Sequence, residues 1–116
     1  MQDTGHSFSA YYKRATSPLV VLSLLKNRPM YGYEISAEMK ERSSGMFTIS
    51  VLYPVLYRLQ EQGYIEEFEV KVTDGRARNY YRITTPGEQY LTATLEEFKK
   101  LTDIFEQLIE EKKYDG

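Results

Sequence analysis

The chain has 116 residues, of which 41% are hydrophobic, so it can form one domain with a real core and is not disordered throughout. It contains no cysteine, which excludes a disulfide framework and a thiolate metal site, and no apolar run long enough to span a bilayer. The net charge of −2 argues against a protein that coats a polyanion by charge alone.

The first helical signals lie between residues 8 and 29. Aromatic residues at helical spacing predict a short helix over Phe8–Arg14. Ser17 and Pro18 then predict the start of a second helix, because serine caps helices and proline fits the first turn. The segment PLVVLSLLKN that follows is apolar almost all round, so we expect this helix to be central to the core and to end at residues 27–29.

The segment MYGYEISAEMKERS predicts the next helix. Tyr31, Ile35 and Met39 form a stripe at helical spacing. Gly32 lacks a side chain, so a neighbouring helix is expected to approach closely there. Residues 43–45, with the sequence SSG, predict a break after this helix.

A further helix is predicted over TISVLYPVLYRLQEQG, with Thr48 or Ser50 as its cap and Gly63 as its stop. Pro54 lacks an N–H group, so a local distortion is expected near the start. The apolar face of this helix consists of Leu52, Val55, Leu56 and Leu59. With that face in the core, Ser50, Pro54, Tyr57 and Glu61 lie opposite, and Tyr53 and Arg58 lie on the flanks.

The hydrophobic period then changes from helix to strand. YIEEFEVKV alternates apolar and charged residues, NYYRIT predicts a second strand, and the turn signal Asp74–Gly75 lies between them. The two segments therefore predict a β-hairpin whose tip carries Arg76 and Arg78.

Thr85–Glu88 predicts a capping box with proline at the first helical position, followed by a long helix to about Lys113. Its apolar residues recur at intervals of four and three, which is the spacing of a helix–helix seam, with Thr102 as the one polar member. The residues predicted to mediate dimerisation are Leu91, Leu95, Phe98, Leu101, Phe105, Leu108 and Ile109.

The order of elements predicts a mainly α fold with a small β-hairpin, an α+β arrangement. Three helices followed by a hairpin are typical of a winged helix-turn-helix, which we assign to residues 1–85, with a C-terminal dimerisation helix over 86–116. A helix of this kind fits the major groove of DNA, and a basic hairpin reaches a phosphate or the adjacent groove. The candidate DNA contacts are Thr48, Ser50, Tyr53, Tyr57, Arg58, Arg76, Arg78, Lys13 and Arg14.

Three segments carry a resemblance to a known family. PLVVLSLLKNRPMYGYEI, LYPVLYRLQEQGYI and GRARNYYRITTPGEQYL together resemble the PadR family of bacterial transcriptional regulators. The match runs in order from about Ser17 to Leu91, and the single last helix resembles the small branch of the family. The resemblance implies a DNA-reading helix over Thr48–Gln62, a wing over Asp74–Asn79 and a homodimer. It also implies a repressor released by small aromatic or drug-like molecules.

The charge pattern fits binding of DNA on one side. Residues 1–63 have a balance of +2 and residues 86–116 a balance of −4. A palindromic double-stranded operator would match a two-fold dimer.

Phe98 and Phe105 are either plain dimer core or the walls of a flat cavity for a planar effector between helices.

Each of these interpretations has an alternative. The hairpin arginines, Lys13 and Arg14 could be solvated surface, and the whole fold could be a protein-interaction module that does not bind DNA. An enzyme is disfavoured, because the chain shows no nucleophile–base pair, phosphate loop or metal-ligand cluster, and His6 has no partner for either role. We therefore predict no cofactor and, since no secretory signal precedes the first helix, a cytoplasmic location.

Overall fold

The computed structural model describes residues 6–48 and 52–112, and the statements below concern these residues. The elements are α1 (Phe8–Asn27), β1 (Met30–Tyr31), α2 (Gly32–Arg42), α3 (Leu52–Glu61), β2 (Ile65–Lys71), β3 (Ala77–Ile83) and α4 (Thr85–Ile109). The predicted mainly α fold with a small antiparallel hairpin is confirmed. Within the described ranges, no helix is both long enough and apolar enough to cross a membrane.

Helix α1 is one continuous helix where two were predicted. Its N-cap is Ser7, whose Oγ accepts a hydrogen bond from the Ala10 N–H, and Pro18 lies in the helix interior. The predicted start at Ser17 is therefore wrong. The Ser17 hydroxyl is buried and donates to the Lys13 carbonyl, one turn back in the same helix. An interior proline costs about 3 kcal/mol, and the buried apolar residues that follow Pro18 offset that cost.

The sheet has three strands in the order β1-β3-β2, all antiparallel. Strand β1 pairs Met30 with Tyr81 and Tyr31 with Tyr80, so the helix predicted from Met30 begins only at Gly32. Two residues are too few to produce a period-2 signal, which is why the sequence pattern missed this strand. Strand β3 begins at Ala77, so Arg78 lies on a strand, and its predicted position in the hairpin tip is wrong.

The core lies between α1, α2, α3 and the sheet. The predicted apolar face of α3 is confirmed, because Leu52, Val55, Leu56 and Leu59 are all buried. The break after α2 is also confirmed: Ser44 and Gly45 have φ values of 53° and 82°, which end a right-handed helix. The remaining core residues come mainly from α1 and α2, with Ile65, Tyr81 and Leu91 from the elements that follow.

Helix α4 starts against the base of the hairpin. Its N-cap is Thr84, one residue before the predicted Thr85, so Pro86 and Gly87 take the second and third helical positions and no capping box forms. The Thr84 hydroxyl accepts from the Gly87 N–H and donates to the Gly63 carbonyl, 2.6 Å away, and the Thr84 N–H donates to Tyr64 O. The helix ends at Ile109, and Glu110 is extended, so the predicted end near Lys113 is wrong by four residues.

This junction leaves no room for a side chain at Gly87. A Cβ atom there would lie inside contact distance of the Tyr64 carbonyl oxygen and 2.9 Å from Ile83 Cγ1. Tyr64 cannot move away easily, because its carbonyl is hydrogen-bonded to Thr84 and its ring stacks on Tyr90 at 4.3 Å.

We expect Gly87→Ala to lower the free energy of unfolding by about 1–3 kcal/mol, despite the better helix propensity of alanine, because the junction becomes overpacked. Urea unfolding at one fixed protein concentration measures the change. Thr92→Ala, an exposed substitution in the same helix, should stay within about 0.5 kcal/mol of the parent. Equal effects of the two substitutions would contradict the prediction.

Candidate nucleic-acid interface

Helix α3 exposes two tyrosines on the side away from its buried face. Tyr53 and Tyr57 are 66% and 63% exposed, and Arg58 is exposed beside them. Two predicted contacts fall at the start of this helix. Thr48 is exposed but not helical, and Ser50 lies outside the described residues, so the choice of N-cap stays a prediction.

Tyr53 is positioned by the glycine that was predicted to allow a close approach. A Cβ atom on Gly32 would lie 2.8 Å from the Tyr53 hydroxyl oxygen and 3.3 Å from Cζ. The phenol of Tyr53 on α3 therefore lies over the first residue of α2, so a side chain, and not the backbone of a neighbouring helix, makes the close approach at Gly32. Tyr53 also contributes, after burial and Glu67, to raising the pKa of Tyr81 above its ordinary value.

Tyr57 has a different environment. A hydrogen bond to Glu61, together with the charge of that carboxylate, raises the pKa of Tyr57 above its ordinary value. The hydroxyl proton is thus directed to an acid on the same helix, and the oxygen lone pairs remain to accept from a donor. A phosphate is disfavoured at this position by the charge of Glu61, whereas an amino group of a base edge is not.

The two arginines predicted at the hairpin tip are held differently. Arg76 forms an ion pair with Asp74, with 3.0 Å between Nε and Oδ2, and its N–H donates to the other carboxylate oxygen. The guanidinium of Arg78 lies over the Tyr31 ring, 4.6 Å from its centroid. Sequence alone gave the two arginines the same role, because the partner of Arg78 comes from the undetected strand β1.

A cavity of about 270 Å³ lies between Tyr53 of α3 and Arg78 of β3. It lies where the first turn of α2, helix α3 and strand β3 meet, and none of its lining side chains is a carboxylate. The lining residues are Tyr31, Gly32, Tyr33, Tyr53, Arg78, Asn79 and Tyr81. The structure thus brings together two predicted contacts, Tyr53 and Arg78. It adds Tyr31, Tyr33 and Asn79, none of which was among the predicted DNA contacts.

Lys13 and Arg14 lie apart from this group, on the N-terminal half of α1. Lys13 is half-buried, and the Arg14 guanidinium lies 5.6 Å from the Tyr11 ring centroid. In the same stretch Tyr12 meets Phe98 of α4 edge to face, with 6.5 Å between ring centroids. In this stretch the aromatic contact between Tyr12 and Phe98 therefore joins α1 to α4.

Helix α4 exposes most of the apolar residues predicted for its seam. Leu91 is the exception: it is 3% exposed and belongs to the core of its own chain, which removes it from the predicted dimer contacts. Burial falls along the helix, since Phe98 is 38% exposed and Leu108 78%. Ile104, which the seam pattern passed over, is exposed as well.

A second cavity of about 400 Å³ lies between α1, α2 and α4 and has a mainly apolar lining. Phe98 and Leu95 contribute from α4, Phe47 from the segment after α2, and Arg42 is the one charged lining residue. Phe105 does not line it. The two phenylalanines predicted to wall one cavity are thus separated within a single chain.

Three helices, of which α3 exposes polar side chains, followed by the β2–β3 hairpin define a winged helix-turn-helix, a class of DNA-binding fold. The model of the PadR-like family of transcriptional regulators matches residues 21–93. The chain therefore belongs to the PadR-like family, whose members are DNA-binding regulators and not enzymes.

Two relatives are similar to most of the chain. The chain is 37% identical over 93 residues to a protein of Lysinibacillus sphaericus. The aligned segment spans 78% of this chain and 85% of that protein. It is 33% identical over 81 residues to a transcriptional regulator of Mycobacterium tuberculosis, covering 70% of this chain and 74% of the other.

Two solved structures are similar over most of their length. A transcriptional regulator from Clostridium thermocellum superposes with a TM-score of 0.77 at 29% identity, covering 86% of this chain and 99% of the other. A PadR family regulator from Eggerthella lenta gives a TM-score of 0.79 at 28% identity, with 88% of each chain covered.

The contact between Gly32 and Tyr53 predicts a conditional effect on DNA binding. Gly32→Ala should displace the Tyr53 ring and weaken binding by about 0.5–1.5 kcal/mol, the value of one hydrogen bond. In a Tyr53→Phe background the closest contact is absent, so the same substitution should have little further effect. Mobility shifts of the four proteins measure this, and an equal loss in both backgrounds would contradict it.

Proposed function

We propose that the protein is a homodimeric repressor that binds a palindromic operator and is released by a small aromatic effector. Residues 1–85 form the DNA-binding part and residues 86–116 the dimerisation part. The observation that carries the proposal is the exposed face of α3 beside a cavity that has a cation and no carboxylate in its lining. The exposed apolar side of α4 supports the dimer, and family membership supports transcriptional regulation.

In the proposed complex α3 enters the major groove, and the hairpin contacts the backbone. Tyr53 and Tyr57 are exposed on α3, with Arg58 next to them, and Thr48 and Ser50 precede it in the chain. Arg76 and Arg78 extend the contact to phosphates. Lys13 and Arg14 remain predicted phosphate contacts on the flank, with less support, since α1 packs on α4.

Binding should be specific and salt-dependent. We expect a mobility shift on DNA from upstream of the protein's own gene, with the logarithm of affinity falling by about 0.9 per neutralised phosphate for each logarithmic unit of salt. Arg76→Ala with Arg78→Ala should reduce that slope by about 1–2 per subunit. Lys99→Ala with Lys100→Ala removes the same charge from α4 and should leave the slope unchanged.

Two outcomes separate the proposal from its alternatives. A protein-interaction module predicts no salt-sensitive shift on any DNA. A repressor predicts that transcription from the bound promoter rises when the gene is deleted, whereas an activator predicts a fall.

The dimer is proposed from the surface of α4. At 1.5 Å per residue the 25-residue helix is about 37 Å long, and only its first turns pack on the core. Leu101, Phe105 and Leu108 of α4 are more than half exposed, and Phe8 of α1 is 81% exposed. An apolar surface of this extent marks an interface, and a two-fold partner would cover it.

Light scattering at micromolar concentration should therefore give the mass of a dimer. Phe105→Glu should shift the protein towards monomer, because it buries a carboxylate without a partner in the interface. Lys100→Glu introduces the same carboxylate on the polar side of α4 and should leave the dimer intact. A parent protein that is a stable monomer at this concentration would exclude the proposed dimer.

The effector is proposed to contact Phe98. This ring borders the apolar cavity of about 400 Å³, a volume in the range of small-molecule sites, and it remains partly exposed towards the proposed interface. Phe105 lies about two turns further along α4 and does not line this cavity, so it would contact the effector only if the ligand extended along α4. A ligand there would act on DNA binding if it preferred one dimer geometry to another.

A thermal-shift screen with planar aromatic compounds should identify ligands. Phe98→Ala is expected to keep the dimer and DNA binding but to abolish release by any compound found, because it removes the stacking surface. Phe105→Ala, tested beside it, shows whether the second ring takes part. Unchanged release of the Phe98→Ala protein at the same compound concentration would contradict the effector site.

A further inference from the structure

Arg78 differs from the other arginines of the hairpin in how its charge is compensated. Arg76 is ion-paired with Asp74, and Arg82 with Glu66 at 2.7 Å. Among the residues that the structure describes, Arg78 has no carboxylate partner, and its contact is the Tyr31 ring. Arg78 is therefore the hairpin arginine whose charge remains available to an external anion.

The cavity beside Arg78 offers groups that suit an anion. Tyr53 contributes a phenolic hydroxyl and Asn79 a side-chain amide, both of which donate hydrogen bonds. Neither Glu34 nor Glu67 lines the cavity. Glu34 is ion-paired with Arg28 at 3.0 Å, and Glu67, whose charge helps to raise the pKa of Tyr81, accepts a hydrogen bond from Gln60. A cation with donors and no carboxylate is an arrangement that binds phosphate.

We infer that this cavity is a phosphate clamp, which holds one phosphate of the DNA backbone between α3 and the hairpin. Arg78 is the residue that binds the phosphate, with Tyr53 and Asn79 as further donors. Tyr31 is a positioning residue, because its ring supports one face of the Arg78 guanidinium. The inference rests on the proposed DNA binding and adds which atoms receive the backbone.

The stack on Tyr31 has a physical purpose in such a clamp. A free arginine loses side-chain entropy when it binds, whereas a guanidinium already held against a ring loses less. Stacking covers the face of the guanidinium and leaves its N–H edges for a bidentate contact with phosphate. Tyr31 is itself fixed, since it pairs with Tyr80 in the sheet and its ring stacks on Tyr33 at 6.3 Å.

The clamp makes the strand position of Arg78 more important for DNA binding than the turn position of Arg76. Arg76 lies at the tip, its side chain is 80% exposed, and its charge is partly neutralised by Asp74. A phosphate contact by Arg76 would have to compete with that ion pair. The expected order of contribution to DNA binding is therefore Arg78 before Arg76.

The experiment measures binding of full-length protein to a duplex of upstream DNA and to an unrelated duplex of equal length, over a series of salt concentrations. Arg78→Ala should weaken binding to both and reduce the salt slope by about 1 per subunit. Arg76→Ala, the matched control, should reduce it less. Arg78 is exposed, so its removal does not endanger the fold.

The role of Tyr31 is tested by a double-mutant cycle. Tyr31→Leu should weaken binding in the parent and have no further effect in the Arg78→Ala background, since the ring acts through the guanidinium. Tyr31→Phe keeps the ring and should bind like the parent. A purely structural role for Tyr31 predicts instead the same loss in both backgrounds, and that result would overturn the positioning role.

Three results would overturn the clamp. The Arg78→Ala protein could keep the full salt slope, it could lose affinity only for the upstream duplex, which would make Arg78 a base contact, or Arg76→Ala could match its effect. A parent protein that shows no salt-sensitive binding would overturn the proposed DNA binding itself, which distinguishes that failure from failure of the clamp alone.

Discussion

The tight contact between the start of α4 and the base of the hairpin fixes the orientation of α4 relative to α3 and the sheet. Gly63 ends α3 with a φ of 77°, Tyr64 leads into β2, and Thr84 follows β3. Three hydrogen bonds of Thr84 and the tight packing of Gly87 join these points to the first turn of α4. The direction of α4 is therefore set by the same few residues that end α3. In the proposed dimer, a rigid joint of this kind would fix the separation of the two α3 helices, which must match one turn of DNA, about 34 Å.

The exposure of α4 shows how far the core reaches. Leu91 is buried, Leu95 and Phe98 are partly covered, and Leu108 is almost fully exposed. The radius of gyration of 17.9 Å exceeds the roughly 13 Å expected for a compact chain of this length, as a projecting helix requires. The first two turns of α4, up to Leu91, thus pack with the core of the winged helix, and the apolar side of the later turns is left for another surface to cover.

Most of the fold could be predicted from the sequence because its signals are local and periodic. The buried face of α3, the break at residues 43–45 and the Asp74–Gly75 turn each follow from a few neighbouring residues. The continuous α1 could not be predicted, since Ser17 and Pro18 form a valid helix start and only packing against α4 and the core overrides it. Strand β1 could not be predicted because two residues carry no period, and the partner of Arg78 was missed with it.

The difference between Arg76 and Arg78 also bears on how a protein of net charge −2 binds DNA. Composition describes the hairpin region as neutral, with acids and bases in equal number. In the folded chain, however, the arginines of this region are not equally paired. Asp74 and Glu66 form ion pairs with Arg76 and Arg82, whereas Arg78 contacts the aromatic ring of Tyr31. A single phosphate contact at a defined place gives little non-specific affinity, which grows with the number of phosphates neutralised. In the proposed complex such a contact would give register, since a phosphate contact at one fixed point would orient α3 in the groove. A low net charge combined with a few well-placed cations therefore favours discrimination between sites over tight binding to any DNA.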